Sequence, residues 1–191
     1  MKNIPKNVAR VLRLPRLNQL GIVVRDMDRA IEYFSRTFGL GPWFRAGLAD
    51  EEHYRGGTER VSYELDLVMA FSGGVMFELI SHLKGDRNLY LEHLEKHGEG
   101  LHHLGFFVKD FDRRMEAVRE AGIGVLQSGI IKSTGKGGGS ETKYAYLDTV
   151  ETGGIIFEYI QTKFVGITIK MSRPWFEMGA LTGDLEKISI R

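Results

Sequence analysis

The chain has no cysteine. That excludes a disulfide framework and any thiolate metal site, and it suits a reducing, cytoplasmic setting. No sign of charge dominates: the formal net charge is +1, so no global field draws the molecule to nucleic acid or to a membrane surface. No apolar run approaches the roughly 20 residues of a membrane span. The opening stretch, Met1 to Arg10, lacks the apolar core and small-residue cleavage site of a secretion signal. These absences fit a cytoplasmic protein with neither nucleic acid nor membrane as partner. At 191 residues, 42% hydrophobic and 27% charged, the chain can bury a good core as one domain or as two half-domains.

What is present is a repetition. Gln19-Leu-Gly-Ile-Val-Val-Arg-Asp-Met-Asp-Arg returns 84 positions later as His103-Leu-Gly-Phe-Phe-Val-Lys-Asp-Phe-Asp-Arg. Gly73-Gly-Val-Met-Phe-Glu-Leu-Ile returns 80 positions later as Gly153-Gly-Ile-Ile-Phe-Glu-Tyr-Ile. One unit has been duplicated, with small length changes between the copies. Metal-capable residues stand at matched positions: Gln19 with His103, and Glu78 with Glu158.

The first repeat, residues 17–81, reads β-α-β-β-β. Leu17 to Val24 is short and branched, as a strand is. Asp26 or Asp28 caps a helix whose face carries Ile31, Phe34 and Phe38, and Gly39 ends it. Gly41-Pro42-Trp43 is a turn into the next strand. Val61 to Phe71 and Val75 to Ser81 are strands joined at Ser72-Gly73-Gly74. Residues 82–101 read as a polar linking helix. The second repeat, residues 102–161, runs as a strand from His102 to Val108 and a helix from Asp112 to Ala121 closed by Gly122. Strands follow near Gly124 to Gln127, over Lys143 to Asp148 and over Ile155 to Gln161. The stretch from Ser133 to Glu141 is glycine-rich and reads as a mobile loop. Residues 1–16 form a basic arm with Lys2, Lys6, Arg10, Arg13 and Arg16, read as a solvated tail. Residues 162–191 have no counterpart in the first repeat and are expected to pack on the site or on a partner subunit.

Glu78 and Glu158 carry the strongest chemical signal. Each lies in a strand that is apolar on both faces; Met76 and Ile80 share the face of Glu78, and Ile156 and Ile160 that of Glu158. An unpaired carboxylate there costs several kcal/mol or takes up a proton, and a nearby cation removes the problem. A strand edge that lets one Glu reach solvent is the plainer reading, and the matched pair weighs against it. Gln19 and His103 each open a strand and precede Leu-Gly, a glycine that admits close approach. Asn18 and His102 alternate to the opposite face and read as bland. The four side chains offer three oxygens and one imidazole nitrogen, a set that suits Zn, Ni, Co, Mn or Fe with coordination positions left open. Such an ion polarises a carbonyl, and a carboxylate beside it removes a proton from the adjacent carbon.

Three other patterns read as decoys. Gly135-Lys136 lacks the spacing and the Ser or Thr of a phosphate loop. His93-Leu-Glu-Lys-His97 is a solvated helix face. Arg113 and Arg114 with Lys109 form a solvent-exposed charge cluster.

The paired units resemble the vicinal oxygen chelate superfamily, also called the glyoxalase, bleomycin-resistance and dioxygenase group, over about Leu17 to Gln161. The resemblance lies in the strand openings Asn-Gln-Leu-Gly and His-His-Leu-Gly and in the closures Phe-Glu-Leu-Ile and Phe-Glu-Tyr-Ile. It implies an α+β fold of tandem βαβββ repeats in a cup-shaped mixed sheet, with Gln19, Glu78, His103 and Glu158 as metal ligands. The ligand set is similar to that of glyoxalase I of the zinc type, in which metal-bound glutamates shuttle a substrate proton; Glu158 and Glu78 would take that role. The positions that hold glutathione there fall at Val23, His82 and Glu99, and none matches. The run Gly-Leu-His-His-Leu-Gly-Phe-Phe-Val also resembles methylmalonyl-CoA epimerase, although Gln19 and Glu78 depart from its usual His and Gln. Extradiol dioxygenases use two His and one Glu, and Gln19 argues against them.

The resemblance therefore implies a homodimeric, divalent-metal-dependent isomerase or lyase. It would abstract a proton next to the carbonyl of a small carbonyl or thioester substrate, by way of a metal-stabilised enolate. The alternative is a metal-free module that binds or sequesters a planar apolar ligand with Trp43, Phe44 and their neighbours.

Overall fold

The alternating runs of the two repeats become strands, and the stretches between them become helices where Asp, Asn and Gly supply caps. The computed structural model describes residues 4–47, 50–135 and 138–190. In chain order the first repeat and what precedes it hold α1 (Lys6–Leu12), β1 (Gln19–Val23), α2 (Met27–Phe38), β2 (Trp43–Ala46), β3 (Asp50–Arg55), β4 (Glu59–Val61), β5 (Tyr63–Ser72) and β6 (Val75–Gly85). Then come α3 (Leu89–Lys96), β7 (Gly100–Phe107), α4 (Phe111–Glu120), β8 (Val125–Gly135), β9 (Gly138–Leu147), α5 (Val150–Gly153) and β10 (Ile156–Phe164). The chain closes with β11 (Ile167–Ile169), α6 (Arg173–Thr182) and β12 (Leu185–Ile188).

The described strands form one mixed sheet in the order β12-β2-β5-β6-β1-β7-β10-β9-β8-β3-β4, with β11 on β10. At its centre β1 runs antiparallel to β7. On either side β1 is parallel to β6 and β7 is parallel to β10. The repeats are thus related by a local two-fold between the two strands that open them. The sheet must also curl. β2 ends at Ala46 and β3 starts at Asp50, yet the two sit near opposite ends of the strand order. Four residue steps reach about 14 Å at most, so the ends of the sheet approach each other around a cup.

Outside the cup, α2 covers Val24, Trp43, Val68 and Leu79, and α4 covers Phe106, Val108, Ala145 and Tyr159. Asp26 caps α2 by accepting from the Arg29 N–H at 3.0 Å, and Gly39 ends it at φ 65°. Of the face expected on α2, Ile31 is buried and Phe34 half-buried, but Phe38 is 66% exposed. It belongs to the last turn and packs on the rings of Tyr33 and Phe34.

Several expectations are corrected. The basic arm is not a solvated tail: Val8, Val11 and Leu12 form an apolar stripe that packs on Ala117 and Ala121 of α4. Lys6 and Arg10 face solvent from the other side of α1, and Lys2 lies outside the described residues. The linking helix is shorter than the polar composition suggests. β6 runs on to Gly85, and α3 starts only where the Asn88 side chain accepts from the N–H groups of Tyr90 and Leu91, each at 3.1 Å. β3 and β4 were not anticipated; β3 is a polar strand held by pairing with β8, and β4 pairs in turn with β3. The glycine-rich stretch is strand on both sides, as β8 and β9 extend into it, and residues 136–137 lie outside the described set. The C-terminal extension packs on this chain's own cup: β12 pairs with β2, and Phe176 of α6 meets the rings of Phe44 and Phe71.

Candidate metal centre

Register brings the four matched residues together. Gln19 stands opposite Gly105 and Gly21 opposite His103 across the β1–β7 pair. Gly21 stands beside Glu78 on β6, and Gly105 beside Glu158 on β10. Paired residues on neighbouring strands share a face, so all four side chains rise on the inner face of the cup. Glu78 and His103 flank Gly21, two strand spacings apart, or about 10 Å between backbones. Their side chains meet because Gly21 has none to separate them. A Cβ on Gly21 would stand 1.9 Å from the His103 ring, and one on Gly105 would stand 2.8 Å from Gln19 Cβ. The two glycines of the repeated Leu-Gly pair are therefore the space into which the other repeat's ligand candidate leans.

The distances are short. Gln19 Nε2 donates to Glu78 Oε2 at 2.6 Å. His103 Nε2 lies 3.1 Å from Glu158 Oε2 and 3.7 Å from Glu78 Oε2. His103 is fully buried and Glu158 nearly so. Even so, Gln19 Oε1, His103 Nε2 and Glu158 Oε2 are buried without a hydrogen-bond partner. The His103–Glu158 approach has the length of an ion pair but not the alignment of a hydrogen bond. Burial pushes the Glu78 carboxyl up to about 7; the Glu158 charge adds to the rise, while His103 and the Gln19 amide oppose it. For His103, burial pulls downward, but Glu158 and then Glu78 outweigh it and the net direction is upward.

His102 is not bland. Its Nδ1 lies 3.0 Å from His103 Nδ1. Burial first, then His103 and His93, bring its pKa down to about 2, so it stays neutral. A neutral His102 accepting the His103 Nδ1–H leaves His103 Nε2 as a bare lone pair aimed at the carboxylates, the arrangement that outer partners impose on ligand histidines.

A second polar group was also missed. Glu51 and His53 share a face of β3, with Glu51 Oε2 at 2.7 Å from His53 Nε2. His53 Nδ1 is 2.7 Å from the Tyr144 hydroxyl. Gln127 Nε2 donates to the hydroxyl of Tyr63 at 2.8 Å, and the Tyr63 ring stacks on His53 at 4.2 Å. Again a glycine makes room: Gly129 lies between His53 and Tyr144 in register, and a Cβ there would stand 2.5 Å from the Tyr144 ring. The segment 50–55 is too polar to announce a strand, so no periodicity in the sequence marks this group.

Gln19, Glu78 and Glu158 face a cavity of about 420 Å³. Its walls are Leu67, Met69, Met76, Tyr144, Tyr146 and Ile160 from the sheet, closed over by Trp175, Phe176 and Met178 of α6. Trp43 and Phe44, expected to hold substrate, are fully buried elsewhere. Trp43 sits under α2 with its indole N–H donating to Ser35 Oγ at 2.9 Å, and Phe44 backs Phe176. Two decoys turn out to be structural. Arg114 bonds Asp110 and the Arg13 carbonyl and lies over the Tyr159 ring, and His93 meets His102 edge to face.

Among the described residues no three His, Asp or Glu side chains form a ready cage for a metal ion. The orphaned atoms nevertheless fit one. An amide oxygen, an imidazole nitrogen and a carboxylate oxygen lack partners beside a second buried carboxyl, and together they are a donor set for a borderline divalent cation.

The family model described as the Glyoxalase/Bleomycin resistance protein/Dioxygenase superfamily matches residues 18–145. The chain belongs to this superfamily. The chain is similar to the uncharacterized protein YqjC of Bacillus subtilis (strain 168), 24% identical over 148 residues, 78% of this chain and 93% of that one. The methylmalonyl-CoA epimerase of Mycobacterium tuberculosis superposes with a TM-score of 0.53 at 20% identity, covering 77% of this chain and 87% of its own. A variant of the Streptomyces coelicolor epimerase, solved with 2-nitronate-propionyl-CoA, gives 0.53 at 21% identity, covering 82% and 99%. At these identities the structural likeness establishes the fold. Among the described residues no helix is long and apolar enough to cross a membrane.

Proposed function

We propose that this superfamily member is a divalent-metal-dependent isomerase or lyase that moves a proton on the carbon next to a carbonyl group. The observation that carries the reading is the set of orphaned atoms: Gln19 Oε1, His103 Nε2 and Glu158 Oε2 are buried without partners beside Glu78. Buried polar atoms left this way cost roughly 1–3 kcal/mol each, and one cation satisfies them together. Gln19, Glu78, His103 and Glu158 would hold it, with Zn, Ni, Co or Mn as the candidates. Half a turn of the Gln19 amide exchanges Nε2 for Oε1 toward the centre. The bound ion would supply positive charge that polarises a substrate carbonyl oxygen and makes the neighbouring C–H acidic.

The chain's own residues do the rest. Glu158 takes the proton as the C–H bond breaks and the electron pair moves toward the carbonyl oxygen. Glu78 returns a proton to the other face or to the neighbouring atom, as a general acid does. His102 holds the tautomer of His103. The apolar walls exclude water, which would otherwise compete for the proton. The epimerases among the structural neighbours carry a proton-moving name, which agrees with this chemistry. A cytoplasmic homodimer is the expected setting, but one chain supplies all four side chains.

The test is solvent-deuterium exchange at the α-carbon of a small thioester, a hemithioacetal and a hydroxyketone, using metal-reconstituted protein. Glu158→Gln should slow exchange at least about 100-fold, the lower end of general-base contributions. Exchange by Glu158→Gln at the wild-type rate would remove Glu158 as the base. The second reading, a metal-free binding module, is favoured by the largely apolar cavity. It predicts ligand binding with no metal requirement and no exchange.

A further inference from the structure

The charges around the cavity restrict what can enter it. Glu78 and Glu158 lie at its floor and Glu51 on its wall, and among the described residues no Lys or Arg lines it. Two neighbouring cations have partners of their own: Arg45 pairs with Asp66 and Glu186, and Lys187 with Glu177. A divalent ion held by two carboxylates, one amide and one imidazole makes the floor neutral in sum. A substrate carboxylate entering beside it would be one negative charge too many, in an apolar enclosure where an unpaired charge costs several kcal/mol. The walls offer the opposite: Leu67, Met69, Met76, Ile160, Trp175 and Phe176 present apolar and aromatic surface. The volume, about 420 Å³, falls within the roughly 300–1,000 Å³ of small-molecule pockets.

From this arrangement we infer that the cavity takes an uncharged carbonyl compound with an aromatic or branched apolar body, and rejects acyl groups that carry a carboxylate. The inference rests on the reading of the cavity as a substrate site. It separates this chain from an epimerase acting on a malonyl-type thioester, whose reacting group bears a free carboxylate. The chain has two tryptophans, and they provide a direct probe. Trp175 lines the cavity, while Trp43 is buried under α2.

The experiment is a fluorescence titration of full-length, Zn-reconstituted protein with a matched pair, 2-hydroxyacetophenone and its para-carboxylate. The neutral ketone should change the emission saturably and bind at least about tenfold more tightly than the carboxylate, a difference of about 1.4 kcal/mol. Trp175→Phe should abolish the response while leaving Trp43 emission as a check on the fold. Met178→Lys places an ammonium on the α6 side of the cavity and should narrow or reverse the preference. Equal or tighter binding of the carboxylate overturns the inference, as does the lack of a saturable response to either compound. Metal content measured on the same samples separates the two claims. A metal-loaded protein that prefers the carboxylate leaves the proposed chemistry standing and removes the substrate class. A protein that takes no metal yet selects the neutral ketone does the reverse.

Discussion

Gly21 matters to the centre as much as the side chains around it. A methyl group there would stand 1.9 Å from the His103 ring, so the ring or the central strand would have to shift. Gly21→Ala should cost at least the 1–3 kcal/mol of an overpacked core and should displace His103 from the carboxylates. Gly153→Ala, whose methyl would meet nothing within 4 Å, is the matching control. Urea unfolding of the two variants checks this: a Gly21→Ala protein as stable as Gly153→Ala would contradict the packing described. His102 makes a prediction about pH. Its folded pKa of about 2 lies below the unfolded value near 6.5. As pH falls through 6.5 the unfolded chain gains a proton that the folded chain refuses, so stability falls by up to about 1.4 kcal/mol per pH unit. Glu78 has the opposite sign, because its folded pKa of about 7 lies above the ordinary carboxyl range: its contribution is present at low pH and is lost as pH rises toward 7. His102→Gln removes only the first effect. The stability difference between wild type and His102→Gln should therefore shift in the variant's favour from pH 7 to pH 5, and a constant difference would refute it. Gln19, Glu78, His103 and Glu158 were legible in the sequence because duplication marked them twice. His102 was not, since alternation alone sends it to the far face, and only the contact between neighbouring rings shows what it does.

At the scale of elements, periodicity and caps were readable wherever an element buries one face. α2 begins at Asp26 and ends at Gly39 as its sequence requires, and the hairpin between β5 and β6 turns at Gly73. Elements held by partners instead of by their own pattern were not readable. β3 is six mostly charged or polar residues kept extended by β8. In α1 the basic residues hid a three-residue apolar stripe. α6 was left without a place because its partners, Phe44 and Phe71, lie in the other repeat. That packing should be strong. Phe176 is 3% exposed, so Phe176→Ala should destabilise the protein by about 3–5 kcal/mol and loosen the cover over the cavity. Urea denaturation measures the first effect and the position of Trp175 emission the second. A loss below about 1 kcal/mol would mean that α6 rests on the cup without closing it.

For the whole molecule, the resemblance to the superfamily implied a cup-shaped mixed sheet, and the family match and curled sheet bear that out. Whether the halves meet within one chain or across two was not written in the repeat, because both arrangements satisfy the same pattern. The β1–β7 pairing answers it, since it places both repeats' side chains over each other's glycines in one molecule. The account rests on a cation among Gln19, Glu78, His103 and Glu158, and elemental analysis tests that most directly. After reconstitution with Zn, Ni or Co and removal of free ion, wild type should hold about one ion per chain, and His103→Ala should lose nearly all of it. A wild-type protein that holds no ion above background, or a His103→Ala variant that keeps its full complement, would contradict the account.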